Sequence, residues 1–178
     1  MRPAHDLHCI QHAQRGTALV MTLVFLVLLT MLGITAINTS TLEERMAGNT
    51  KDQNLSFQAA ETALRAAETW VESTTAATSL AANNAYGLYD PSTTGTEVWD
   101  SVIWAGANVV TYPGVPGTPA SGTLGDVNIR PKYIIEKLTT EALLPSGTRI
   151  MVRITARGTG ASNNTVSMVQ STYSKTYP

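Results

Sequence analysis

An uncharged stretch near the N-terminus constrains this chain more than any other feature. The residues from Thr17 to Ile37 include no acidic or basic side chain. As an α-helix they would span roughly 30 Å, about the thickness of the hydrocarbon core of a bilayer. A helix also satisfies its own main-chain hydrogen bonds, as a segment in lipid must. We therefore expect a transmembrane helix over residues 17–37.

Composition limits the function classes. The chain has 178 residues, of which 14% are charged, and a net charge of −1. It offers no basic surface for nucleic acid, so we expect no nucleic-acid partner. Cys9 and all three histidines precede Arg15. If residues 1–16 are removed, neither a Cys/His zinc site nor a catalytic histidine is possible. We expect no enzyme, no cofactor and no metal site, although a calcium site built from separated loops stays open.

The N-terminal segment before the apolar stretch has three interpretations. It is a signal peptide cleaved after Ala36, an uncleaved membrane anchor, or a short leader cut after Gly16. Arg15 is the basic residue nearest to the apolar stretch, which favours a cytoplasmic N-terminus.

The helical pattern continues beyond the apolar stretch, to about Glu72. Asn38–Thr41 either cap a new helix or form a polar patch on a continuous one. From residue 57 to residue 71, large and small apolar side chains recur at helical spacing. We expect this stripe to lie on a sheet, and the residues predicted to pack against the head are Phe57, Leu64, Trp70 and Val71.

Two segments carry a family resemblance. Gln14-Arg15-Gly16, followed by an apolar helix, resembles the processing site of type IV prepilins. TLEERMAGNTKDQNLSFQAAETALRAAE, from Thr41 to Glu68, resembles the N-terminal part of PilX-type minor pilins, which are similar to the tip pseudopilin GspK of type II secretion. The resemblance implies that a prepilin peptidase cuts after Gly16 and methylates the new amine of Thr17.

The resemblance also implies a place in the pilus. Pilins carry a glutamate at the fifth mature position, where it pairs with the amine of a neighbouring subunit, but here that position is Met21. A carboxylate without such a partner is costly inside a helix bundle. An apolar residue suits a subunit at the filament tip, and PilX-type proteins lack this glutamate. Gly33 is a weak point in the same helix.

The partners and location follow from the same resemblance. It implies priming of pilus assembly with other minor pilins, the major pilin and a PilY-type tip adhesin. The protein would start as a single-pass protein of the bacterial inner membrane with a periplasmic head, and end at the pilus tip on the cell surface. Twitching, adhesion and DNA uptake all stay open as uses of the pilus.

The remainder of the chain predicts an α+β head, with the long helix packed on an antiparallel sheet. A connecting region comes first, and short strands are expected over 97–104 and 108–112, then a long loop over 113–126. Three strands then form a meander. They are expected over 127–138, with a bulge at Arg130-Pro131, over 148–157 and over 166–177. We expect three parts: a leader at 1–16, the helix at 17–72 and the head at 73–178.

Several features admit two interpretations. The pair Gly158 and Gly160 lacks the spacing of a phosphate-binding loop. Arg153 and Arg157, beside Lys132 and Lys137, form either an anion-binding surface or an ordinary polar sheet face. Three other functions stay open: a tip pseudopilin of type II secretion, a signal-anchored enzyme, and an adhesin that binds through the loop over 113–126.

Overall fold

The computed structural model describes residues 14–80, 86–92, 96–117, 127 and 129–178. The chain forms two compact units, Met1–Gly48 and Asn49–Pro178. In chain order, the elements are α1 (Gln14–Ser73), a 3₁₀ turn (Ala77–Leu80), β1 (Leu88–Tyr89), α2 (Val98–Ser101), β2 (Val110–Thr111), β3 (Lys132–Ala142), β4 (Thr148–Thr159) and β5 (Val166–Tyr177).

Helix α1 is continuous, which decides between the two interpretations of Asn38–Thr41. These residues lie inside the helix and do not cap a new one. Thr39 and Thr41 donate their hydroxyl hydrogens to the carbonyls of Thr35 and Ile37, at 3.0 and 2.7 Å. Such back-bonding lets a hydroxyl sit in a helix interior without competing for a main-chain donor.

The sheet of the second unit is built around a three-stranded meander. β3 pairs antiparallel with β4, and β4 pairs antiparallel with β5, as the sequence predicts. The two-residue strands β1 and β2 both pair with β3, and β1 does so in parallel, so the sheet is mixed. The irregularity in β3 lies between Lys137 and Thr139, not at Arg130-Pro131.

The two faces of the sheet bury different layers. One face meets α1, and the core between them includes Val71, Tyr133, Ile135, Val152 and Ile154. The opposite face is covered by the segment that contains α2. Val98, Val109 and Ile134 form a second, smaller core there, with Trp99 and Trp104 packed against it.

The prediction of strands over 97–104 and 108–112 was wrong in large part. Residues 98–101 form the short helix α2, and only Val110–Thr111 form a strand. Val98 is buried against the sheet, and the indole nitrogen of Trp104 donates to the carbonyl of Trp99 at 3.1 Å. Covering the sheet with aromatic side chains therefore prevails over the local strand propensity. The loop predicted over 113–126 lies mostly outside the described residues.

The chain at the end of β4 approaches α1 so closely that two positions, Gly158 in β4 and Gly160 just after it, require glycine. A Cβ at Gly158 would lie 3.0 Å from the carbonyl carbon of Ala59 and closer still to Ser56 and Ala60 main-chain atoms. A Cβ at Gly160 would lie 2.7 Å from the main-chain oxygen of Asp52 and closer still to its carboxylate. The main-chain atoms among these obstacles belong to a helix and cannot rotate away as a side chain does.

We expect Gly158→Ala to destabilise the head by about 1–3 kcal/mol, the usual cost of overpacking a close contact. Gly48→Ala is the matched control, because nothing lies within 4 Å of its added Cβ, and alanine favours a helix by about 1 kcal/mol over glycine. Thermal unfolding of the full chain in detergent, followed by tryptophan fluorescence, measures both. Equal melting temperatures for Gly158→Ala and the parent chain would contradict the close approach.

Candidate functional site: the apolar helix and the residues that pack on the sheet

The first candidate site is the apolar part of α1. Its large side chains are exposed along the whole stretch, and Met21 is 63% exposed. Gly16 and Thr17 lie near the start of α1 and are both exposed. Gly33 has nothing within 4 Å of the position a Cβ would take. α1 is the one helix among the described residues that is long and apolar enough to cross a membrane.

Threonine hydroxyls in this stretch are satisfied within the helix. Thr22 donates to the carbonyl of Leu19 at 2.9 Å, and Thr35 donates to that of Met31 at 2.9 Å. Thr30 donates to two carbonyls of the preceding turn. A hydroxyl bonded in this way leaves no orphan donor for lipid or for a neighbouring apolar helix. The hydroxyl groups of this segment therefore do not oppose its placement in an apolar environment.

The second candidate site is the lower part of α1, which lies on the sheet. Val71 is fully buried, and Leu64 and Trp70 are partly buried against the same core. Phe57 differs from its prediction, because 47% of it is exposed. The buried stripe is set about 100° away from it. It consists of Ser56, Ala60, Ala63, Ala67 and Val71.

Small residues occupy that stripe because of the glycines opposite. Ser56 and Ala60 contact the backbone at Gly158, and a larger side chain at either position would push the strand away. The hydroxyl groups of Ser56 and Ser167 lie 2.6 Å apart and share a hydrogen bond. Sequence reasoning missed Ser56, although the alanine-rich helix and the glycine pair together contained the signal.

Asp52 fixes the β4–β5 turn to α1. Its carboxylate accepts hydrogen bonds from the Thr165 hydroxyl at 2.5 Å and from the main-chain N–H groups of Ala161 and Ser162 at 2.5 and 3.3 Å. The hydrogen bond from Thr165 is the main cause that lowers the pKa of Asp52, and the N–H groups add to it. The close approach at Gly160 therefore accompanies this contact with Asp52, and the close approach at Gly158 is to Ser56 and Ala60.

Strand β5 also holds the C-terminal end of α1. The Lys175 ammonium donates to the carbonyls of Val71 at 3.2 Å and Thr74 at 2.7 Å, and also to that of Glu72. The last carbonyls of a helix lack partners within the helix and carry its partial negative charge. One lysine thus satisfies the helix end and ties it to the last strand.

The opposite face of the sheet carries most of the basic side chains of the head. Arg153 donates to Glu136 at 2.9 and 2.6 Å and also pairs with Glu97. Lys137 stands opposite Val152, on the side of the sheet that meets α1, and pairs with Asp90 at 3.4 Å. Arg157 lies over the ring of Trp104. The structure therefore separates the four cations that the sequence placed together, and two of them are neutralised within the head.

No group of three or more His, Cys, Asp or Glu side chains that could hold a metal ion occurs in the ranges the structure describes.

Comparison with protein families adds an independent finding. The model of the PilX N-terminal family matches residues 15–65. The model of the type IV pilus assembly protein PilX C-terminal family matches residues 47–175, which is most of the chain.

The chain belongs to the PilX family of type IV pilus assembly proteins. No curated protein and no solved structure matched the chain. As a PilX minor pilin, the chain is a structural component of the pilus, and its α+β fold, with a long N-terminal helix on a sheet, is pilin-like. Its single apolar N-terminal helix fits a single-pass anchor.

The Asp52 contact predicts a pH-dependent stability for this PilX protein. The pKa of Asp52 is lower in the folded chain than the ordinary 3.8, so folding favours the carboxylate. Its contribution is fully present above pH 3.8 and is lost as the pH falls through the folded pKa. We expect Asp52→Asn to melt at a lower temperature than the parent chain at pH 7, with a difference that narrows below pH 3.8.

Asp100→Asn is the matched control, because it removes the same charge at an exposed position. Thermal unfolding of the full chain across this pH range measures the difference. A constant gap between Asp52→Asn and the parent chain from pH 7 to pH 3 would show that charge is not what Asp52 contributes.

Proposed function

We propose that this minor pilin primes type IV pilus assembly and caps the filament at its tip, after insertion in the bacterial inner membrane. Prepilin peptidase would cut after Gly16, so that residues 1–16 are the leader and Thr17 becomes the first mature residue. Residues 17–37 would span the membrane with the N-terminus in the cytoplasm. Residues 73–178 would form the periplasmic head.

One observation supports the tip position above the others. Met21, five residues into the proposed mature chain, is an exposed apolar side chain in an uncharged helix. A shaft subunit needs a group at this level that pairs with the amine of its neighbour. A subunit with no neighbour above it has no such amine, and an unpaired carboxylate there would be costly.

Assembly replaces lipid around the apolar helix with helices of other subunits. Lipid tails are as apolar as leucine side chains, so the hydrophobic effect alone does not favour that exchange. Close packing and specific contacts of the head must supply the preference. The partners we propose are other minor pilins, the major pilin and a PilY-type tip adhesin.

Processing is tested by mass spectrometry of the mature N-terminus of the membrane-associated protein. We expect a terminal peptide that starts at Thr17 with a methylated amine. A start at Ile37 would indicate an ordinary signal peptide, and an intact Met1 would indicate an uncleaved anchor. Either result would contradict the proposed route into the pilus.

The tip position is tested by Met21→Glu, with Met21→Leu as the control of similar size and polarity. A carboxylate in an apolar helix environment costs roughly 2.5–3.5 kcal/mol when it has no partner. We expect Met21→Glu to lower the number of surface pili several-fold and Met21→Leu to leave it unchanged. Equal or better incorporation of Met21→Glu along the filament would instead indicate a shaft subunit.

A further inference from the structure

A small cavity on the sheet face opposite α1 has a wall that is unusually rich in cations. Its volume is about 130 Å³, several times the roughly 30 Å³ share of one water molecule. Arg130, Lys132 and Arg157 line it, together with Trp104, Ile129 and Thr159.

Among the described residues, no acidic side chain forms an ion pair with the three cations of this cavity. Ion pairs within the described part of the chain engage Lys137, Arg149 and Arg153, but none of the three cavity cations. Lys132 donates to the carbonyl of Trp104 at 2.7 Å, and the Arg157 guanidinium lies 5.9 Å from the centre of the Trp104 ring. These contacts orient the cations without neutralising them.

The pairing register makes this arrangement costly. Lys132 of β3 stands directly opposite Arg157 of β4, and like charges in a cross-strand pair are destabilising. Burial, and then the charge of Arg157, lower the pKa of Lys132. Four residues along the same strands, Glu136 stands opposite Arg153 and the charges are balanced. The contrast shows that stability of the sheet does not explain the cation pair.

We propose that this cavity binds the carboxylate of a glutamate or aspartate side chain from a neighbouring pilus subunit. The inference rests on the proposed function, because it names a contact through which the head takes its place.

The ligand chemistry follows from the wall of the cavity. Guanidinium and ammonium groups bind carboxylates through charge-assisted hydrogen bonds, while Trp104 and Ile129 provide an apolar surface for the methylene groups of an acidic side chain. The Thr159 hydroxyl is already engaged with the main chain of Ile129, so the three cations supply the recognition together with Asn163, which also lines the cavity. The net charge of −1 and the confinement of these cations to one cavity favour a single anionic group over a long polyanion.

The direct test is calorimetric titration of the full chain in detergent micelles with acetyl-Gly-Glu-Gly-amide and acetyl-Gly-Gln-Gly-amide. We expect the glutamate peptide to bind at least tenfold more tightly, with an affinity that falls as salt rises. Lys132→Gln and Arg157→Gln should each weaken binding at least tenfold. Both variants should keep the melting temperature of the parent chain or raise it, since each removes a like-charge pair.

Arg65→Gln is the control, because it removes a positive charge from an exposed position on α1. Equal binding of the two peptides, or an equal loss in Arg65→Gln, would overturn the proposal. Tighter binding of inorganic phosphate than of the glutamate peptide would also overturn it, in favour of a phosphorylated ligand. A further variant, Asp126→Asn, tests whether an acidic residue of the chain itself occupies the cavity. Peptide binding that appears only in this variant would also overturn the proposal.

A second experiment separates this inference from the proposed function. Pilus subunits are co-purified with the parent chain, the Arg130→Gln/Arg157→Gln variant and Arg65→Gln from detergent extracts of piliated cells. We expect only the double variant to lose a partner. If the chain binds the glutamate peptide but cells that lack the chain have an unchanged number of pili, the proposed function fails. If cells that lack the chain have no pili, but no variant loses binding of the glutamate peptide or of a pilus subunit, the inference alone fails.

Discussion

The head depends on a backbone-to-backbone contact between α1 and the end of strand β4. Gly158 in the strand and Gly160 just beyond it bring the chain against the helix, and the helix positions that face Gly158 are Ser56 and Ala60. The separation set there leaves room for larger residues only further along, at Val71 and its neighbours. Asp52 then adds a polar clamp at the point of closest approach. The distance between α1 and the sheet is therefore set as much by the small side chains at this contact as by apolar burial.

This constraint explains which parts of the fold could be predicted from the sequence. The alternation in β4 correctly placed Ile150, Val152, Ile154 and Ala156 on the buried face, because a period of two has a single solution once one face is covered. The helix was predicted with less precision. Leu64, Trp70 and Val71 of its apolar stripe do pack on the sheet. When alanines are numerous the periodicity admits several rotations, and Phe57, at the other end of the stripe, is 47% exposed.

The strands predicted around Trp99 and Trp104 failed for a related reason. A short run of valine, isoleucine and tryptophan is compatible with a strand and also with an irregular segment that covers a sheet face. Periodicity does not distinguish these two structures. The cation cavity could not be predicted from the sequence, for another reason. Arg157 lies 25 positions beyond Lys132, so their opposition depends on the β3–β4 register. The charge of Arg153 is balanced because Glu136 stands opposite and Glu97 also pairs with it.

In the proposed assembly, the apolar helix and the cation cavity would make physically different contributions. The apolar helix satisfies its own hydroxyl groups and presents a surface of low specificity, which suits transfer from lipid to a helix bundle. Such a surface distinguishes poorly between neighbours, because many apolar helices pack against it almost equally well. To discriminate between neighbouring subunits, a surface needs groups whose contact with a wrong partner costs free energy. Half-buried cations that repel one another without a carboxylate would meet that requirement in the proposed assembly, and Lys132 opposite Arg157 is such a pair.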